Sequence, residues 1–152
     1  MNSRYLFKAK RIDNGEWVEG GYSYRSNDDT HYITVMGKDH ISHIGFHQQI
    51  DPKTICQSTG IYDNNRIMIF ENDIVSHKYN TYEDDESEYF LTVRKEKKKN
   101  YVIKFDSTPS FMGYRYHNGR NIFPFKKGTV WNGNDEVVGN IHDNPELLGG
   151  SE

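Results

Sequence analysis

No stretch of this sequence sustains a helical repeat beyond about two turns, and that constrains the fold more than any motif does. What recurs instead is a step of two, broken by turn residues. In "RYLFKAKR", Tyr5, Phe7 and Ala9 fall on one face and Leu6, Lys8 and Lys10 on the other, the pattern of a half-exposed strand. "DNG" at 13–15 turns the chain into "EWVEGGYSYR" and, after the polar loop at 26–29, into "THYITVMG". The N-terminal part therefore reads as a meander of three strands, about the number that can stand alone.

From 38 to 50 the pattern breaks, with Gly37 and Gly45 framing His40, His43 and His47. Asp51-Pro52 then leads into "KTICQSTGIYDNNRIMIFENDIV", two β-like runs around "DNN" that close on an acidic corner, Glu71 and Asp73. An acidic run, "YEDDESE", and a basic one, "RKEKKKN", flank "YFLTV". Neighbouring runs of opposite sign predict a solvated hairpin over 78–100, with 89–93 and 101–105 as its more buried arms. Asn118-Gly119 signals another hairpin. The C-terminal "DEVVGNIHDNPELL" predicts a strand over 136–141, then Asn144 as N-cap and Pro145 at the first position of a one-turn helix. The fold class is mainly β with only short helical turns.

Composition narrows the function classes. A chain of 152 residues suffices for one domain or a compact pair of subdomains, burying roughly 70% of the surface of the unfolded chain. Hydrophobic residues are only 34%, so the 11 Tyr and 8 Phe are expected to carry the core. A net charge of -3 gives no global pull toward nucleic acid or membranes. No apolar run approaches the ~20 residues of a membrane span, and the charged N-terminal segment does not suit a signal peptide. Cys56 is the only cysteine, which excludes an intrachain disulfide and the cysteine-rich zinc modules. The expected location is the cytoplasm.

Three separated pieces, "YLFKAKRIDNGEWVEG", "QSTGIYDNNRIMIFENDIV" and "EVVGNIHDNPELL", resemble the YopX family of bacteriophage and prophage proteins. The chain departs from the family pattern at particular turns. Ser58 stands at a usual aromatic, Lys10 and Arg11 replace Trp-Asp, and Asn72 stands at the glycine of E-G-D, where Asn is the best substitute at positive φ. Arg66 occupies the place of a turn glycine, which predicts that Asn64 or Asn65 takes the left-handed conformation. The resemblance implies an SH3-like β-barrel without established enzymatic activity. It implies an N-terminal meander over 1–50, the barrel over 51–148 with the hairpin 78–100 inserted, and a tail at 149–152. Gln57, Thr59, Gly60, Glu71 and Asp73, in the central motif, are then expected to build a turn, with the Asp73 side chain bonding backbone amides, rather than a catalytic pair.

No catalytic pattern competes with that expectation. His40, His43 and His47 would share a helical face suited to zinc, but Gly45 interrupts it and no H-E-x-x-H pattern is present. Cys56 reads as a small buried hydrophobe. The chain has no nucleophile elbow, Walker loop or dinucleotide fingerprint, and no cofactor is expected. One segment has binding character: Phe111, Tyr114, Arg115, Tyr116 and Arg120 interleave aromatics with cations, as single-stranded nucleic-acid sites do, although as a strand it would put Arg115 opposite the two tyrosines. The leading expectation is a non-enzymatic phage accessory protein that binds a host or phage protein in the bacterial cytoplasm, with self-association through its edges an option. The alternative is a nucleic-acid-binding module that uses the Phe111 to Arg120 patch.

Overall fold

The computed structural model describes residues 5–35, 46–84, 92–106, 113–118, 121–124 and 135–148. They form antiparallel β-structure with two short 3-10 turns and, among the described residues, no α-helix. Chain contacts divide the molecule into two units. The first holds residues 1–61 and 68–71, the second 62–67 and 72–152.

In the first unit, β1 (Phe7–Lys10), β2 (Trp17–Arg25), β3 (Thr30–Val35) and β4 (Phe46–Gln49) pair in succession, each antiparallel to the last. The turn at Gly15 takes φ 72, as the "DNG" signal requires. β5 (Cys56–Tyr62) and β6 (Met68–Phe70) extend the other side of β1, giving the order β4-β3-β2-β1-β5-β6. One further bridge joins Arg11, just past β1, to Ile50, just past β4. Directly after Ile50, Asp51 caps the 3-10 turn Pro52–Thr54, accepting the Lys53 amide at 3.0 Å. The alternation read in "RYLFKAKR" sets the buried side: Ala9 is fully enclosed with Ile33 and Ile50, and Phe7, Val18, Val35 and Ile55 pack around them.

The second unit is a five-stranded sheet in the order β10-β9-β8-β7-β11. Its centre is the ribbon of β7 (Asp73–Asp84) and β8 (Thr92–Asp106), paired from Ile74 opposite Val102 to Asp84 opposite Thr92. β9 (Gly113–Asn118) and β10 (Asn121–Pro124) form the hairpin that Asn118-Gly119 announces, with Asn118 opposite Asn121. β11 (Asp135–Asn140) lies on the other side of β7, shifting register between Val137 and Gly139. The 3-10 turn Pro145–Leu148 follows it.

Three expectations need correction. Among the described residues the core is aliphatic: of the buried apolar residues there only Phe70 is aromatic, while Tyr5, Tyr24, Phe46, Tyr62 and Phe105 are exposed. Ile and Val fill the narrow space along a pleated sheet, whereas a tyrosine hydroxyl needs a partner or water and draws the ring outward. Residues 89–91 lie outside the described residues, and 92–93 and 101–105 are not opposing arms of a hairpin. Thr92, Val93 and 101–105 all lie on β8, whose basic run continues the strand because Arg94 to Lys98 are exposed and long cationic side chains tolerate either face.

The third correction concerns the turn. Arg66 itself takes the left-handed conformation, φ 63, and the two asparagines do not. Asp63 explains this: its Oδ1 accepts the amides of Asn65 and Ile67, both at 2.8 Å, and dictates the backbone whatever residue stands at 66. A left-handed arginine is strained by about 1–2 kcal/mol, against somewhat less for the added chain entropy of glycine. Arg66→Gly should therefore stabilise the protein by about 0.5–1 kcal/mol, read as a higher urea midpoint. A lower midpoint would mean that the arginine side chain makes a contact worth more than the strain.

Candidate functional site

The acidic corner that opens β7 is a structural joint. Asp73 is 1% exposed and accepts the side-chain amide of Asn140 at 3.0 Å. Asn140 also accepts the His142 amide on Oδ1 at 3.0 Å, and its carbonyl takes the Asn144 amide at 2.8 Å, winding the terminal turn. Asn72 takes φ 67 as expected, which lets its amide donate to the Ile103 carbonyl and its own carbonyl accept from Ile141. Gly139 lets the terminal turn pack close, since a Cβ there would sit 2.7 Å from Asn144 Oδ1 and force that side chain to shift. Asp63 adds a third tie: its Oδ2 accepts the Val137 amide at 3.0 Å. Asp73 Oδ1 and both carboxylate oxygens of Asp63 thus each accept a hydrogen bond from another part of the chain.

The other motif residues serve the same end within the first unit. Glu71 donates its amide to the Gln57 carbonyl at 2.8 Å. Thr59 donates its hydroxyl to the Ile69 carbonyl at 2.8 Å and accepts the Ile61 amide. Gly60 takes φ 73, and its amide donates to Ser58 Oγ. Ser58 is buried, so the residue that departs from the family aromatic caps this kink instead. Cys56 is fully buried with its thiol directed at the Thr54 carbonyl, as a small core residue.

Of the three histidines read as a candidate metal set, His40 and His43 lie outside the described residues. His47 stands on β4 with Nδ1 2.9 Å from Thr34 Oγ1. Among the described residues no group of three or more His, Cys, Asp or Glu is placed to hold a metal ion. In the aromatic and basic patch, Phe111 and Arg120 also lie outside the described residues. Tyr114, Arg115 and Tyr116 are in β9, in register with Phe105, Lys104 and Ile103, so Arg115 does alternate with the two tyrosines along a strand.

Aromatic contacts on both faces of β2–β4 were not legible in advance, Tyr22, Tyr24 and His31 alternating with Arg25, Tyr32 and His47 across the sheet. Tyr22 bonds His31 Nδ1 at 2.7 Å, and the Tyr24 ring lies 4.9 Å from the same imidazole. Arg25 covers Tyr32 at 4.9 Å, and Tyr32 meets His47 edge-on. Tyr24 donates its hydroxyl to Asp29, and that bond to a carboxylate raises the phenol above its usual range. Ser23, Tyr24, Arg25, Tyr32 and His47 line an open cleft of about 270 Å³. Phe46, beside it in β4, is 60% exposed.

A family model described as YopX protein matches residues 6–149. The chain belongs to the YopX family. No curated protein and no solved structure matches it. The long central and terminal motifs that carried the YopX resemblance are the two halves of the joint, Asp63 and Asp73 on one side and Val137 and Asn140 on the other. A second pairing across the same strands has no motif to announce it. His77 Nδ1 lies 2.6 Å from Asp135 Oδ1, both side chains largely buried, and the imidazole stacks on Tyr79 with 9° between planes. The carboxylate accepts the Nδ1 proton and sets the plane of the ring.

Proposed function

We propose that this YopX-family chain is a phage or prophage accessory protein without catalysis of its own, which works in the cytoplasm of its bacterial host by holding a host or phage protein. The observation that carries the reading is the open cleft lined by Ser23, Tyr24, Arg25, Tyr32 and His47, with Tyr24 and Phe46, the residue before His47, both more than half exposed. Aromatic and arginine side chains that share a cleft bury a large area at low entropic cost, the composition of interface hot spots. The carboxylates of Asp63 and Asp73 in the central motif are engaged in holding the chain together. The SH3-like barrel belongs to this proposal too. Small β-modules of that kind bind through edges and loops.

Capture from host lysate tests the proposal. The tagged protein should retain a partner after nuclease treatment, and Tyr24→Ala with Phe46→Ser should lose it while the circular dichroism stays unchanged. Both residues are more than half exposed, Tyr24 by 51% and Phe46 by 60%, so neither substitution opens a cavity. A partner that the double variant keeps, or none that survives nuclease, would overturn the reading.

A further inference from the structure

The second unit carries a charge division that its composition conceals. Residues 89–134 contain ten Lys and Arg against two Asp and Glu, whereas the rest of the chain has nine against twenty. Strand order makes this spatial: β8, β9 and β10 are neighbours on one side of the five-stranded sheet, and β7 and β11 lie on the other. Near-neutral whole-chain charge therefore coexists with a cationic half of one sheet.

On one face of the β7–β8 ribbon, cations and aromatics stand directly together. The register sets Thr81 opposite Lys95, Tyr79 opposite Lys97, His77 opposite Lys99 and Val75 opposite Tyr101. Alternate residues share a face, so Lys95, Lys97 and Lys99 follow one another about 6.8 Å apart along β8. Beside them lie the parallel rings of His77 and Tyr79, 6.4 Å between centroids, and Tyr101 with the Lys99 ammonium 5.9 Å from its centre. Asp135 holds His77 in that plane. Lys95 and Lys97 are exposed, and Lys99, Tyr79 and Tyr101 are half-buried. Burial, with Tyr79 and Asp135 nearby, raises the Tyr101 phenol above its usual range.

Directly across from these lysines stand Thr81, Tyr79 and His77, and on the other face Lys78 stands across from Lys98, a like-charge pair that costs stability. We propose that this face of the ribbon binds single-stranded nucleic acid, with Lys95, Lys97 and Lys99 on successive phosphates and bases stacked on Tyr79 and Tyr101. The row of cations tracks a backbone, and the rings accept any base because every base has a π-face. The surface is distinct from the Phe111 to Arg120 segment and from the cleft of the first unit.

Fluorescence anisotropy with a labelled oligothymidylate of roughly 20 nucleotides tests this on the full chain. Binding is expected at about 50 mM salt and should weaken with a log-log slope near -2, the value for about three phosphates on a single strand. Lys95→Glu with Lys97→Glu should weaken it at least tenfold and flatten the slope. Tyr79→Ala should weaken it about tenfold and leave the slope unchanged, because stacking releases no counterions. Lys98→Glu, on the opposite face, should do much less than either. Unaltered circular dichroism in each variant shows that folding is not the cause. The proposal is overturned by no binding at low salt, by a duplex that binds as tightly, or by polyglutamate competing equally, the mark of an acidic protein partner. Lys98→Glu matching the two-lysine variant, or salt-sensitive self-association in place of binding, would overturn it too.

Discussion

Gly20→Ala is expected to lower stability by about 3 kcal/mol or more, while Gly21→Ala next to it changes stability by no more than about 0.5 kcal/mol. Gly20 is where β2 passes from one neighbour to another: Gly20 pairs with Phe7 of β1, and Gly21 pairs with Thr34 of β3. A Cβ on Gly20 would sit 2.1 Å from the Thr34 carbonyl oxygen and 2.8 Å from its carbon, while one on Gly21 would meet nothing within 4 Å. The obstacle is main chain, not a side chain that can swing away. Thr34 is held on both sides, by Gly21 and by His47, so relief requires breaking a ladder. Urea titration of the two variants is the check, and a melting point depressed by about 6–12 °C for the first alone would agree with it. Equal midpoints would mean that the strands are further apart than described.

The second large effect lies in the other unit. Asn140→Ala removes the amide that bonds Asp73 and the oxygen that caps the turn at His142. A hydrogen bond to a charged group is worth about 1.5–3 kcal/mol, and a buried carboxylate that loses a donor adds to the loss. A destabilisation of about 3 kcal/mol is expected. Because Asp73 is 1% exposed, water does not replace the lost donor. A double-mutant cycle with Asp73→Ala isolates the pair: a coupling above about 1 kcal/mol is expected, and a value near zero would show that the two side chains act separately.

How much of this was legible depends on where the information sits. β1, β2 and β3 could be read because apolar residues alternate in each and turn residues stand between them. β4, "FHQQ", could not, since most of it is exposed and its place comes from pairing with β3. β8 was misread for a related reason: lysine suits both faces of an exposed ribbon, so no period marks it. Arg66 misled because the substitution suggested that the left-handed residue had moved, when Asp63 holds the backbone in place. The acidic corner was readable as a turn, but its partner Asn140 stands 67 positions away, and His77 and Asp135 are 58 apart. Pairings at that distance leave no local trace. The exposed aromatics were hidden because composition counts rings without saying which way they face.

The joint between the two family motifs also sets an order of events in the cell. Asp63 waits for the amide of Val137, 74 residues later. At about 5–20 residues per second, the ribosome takes several seconds to supply it. Until then the β5–β6 turn and the start of β7 have their acids in place and nothing to clasp. β11 acts as a latch, and the nascent second unit stays open to proteases and chaperones until Val137 has been made.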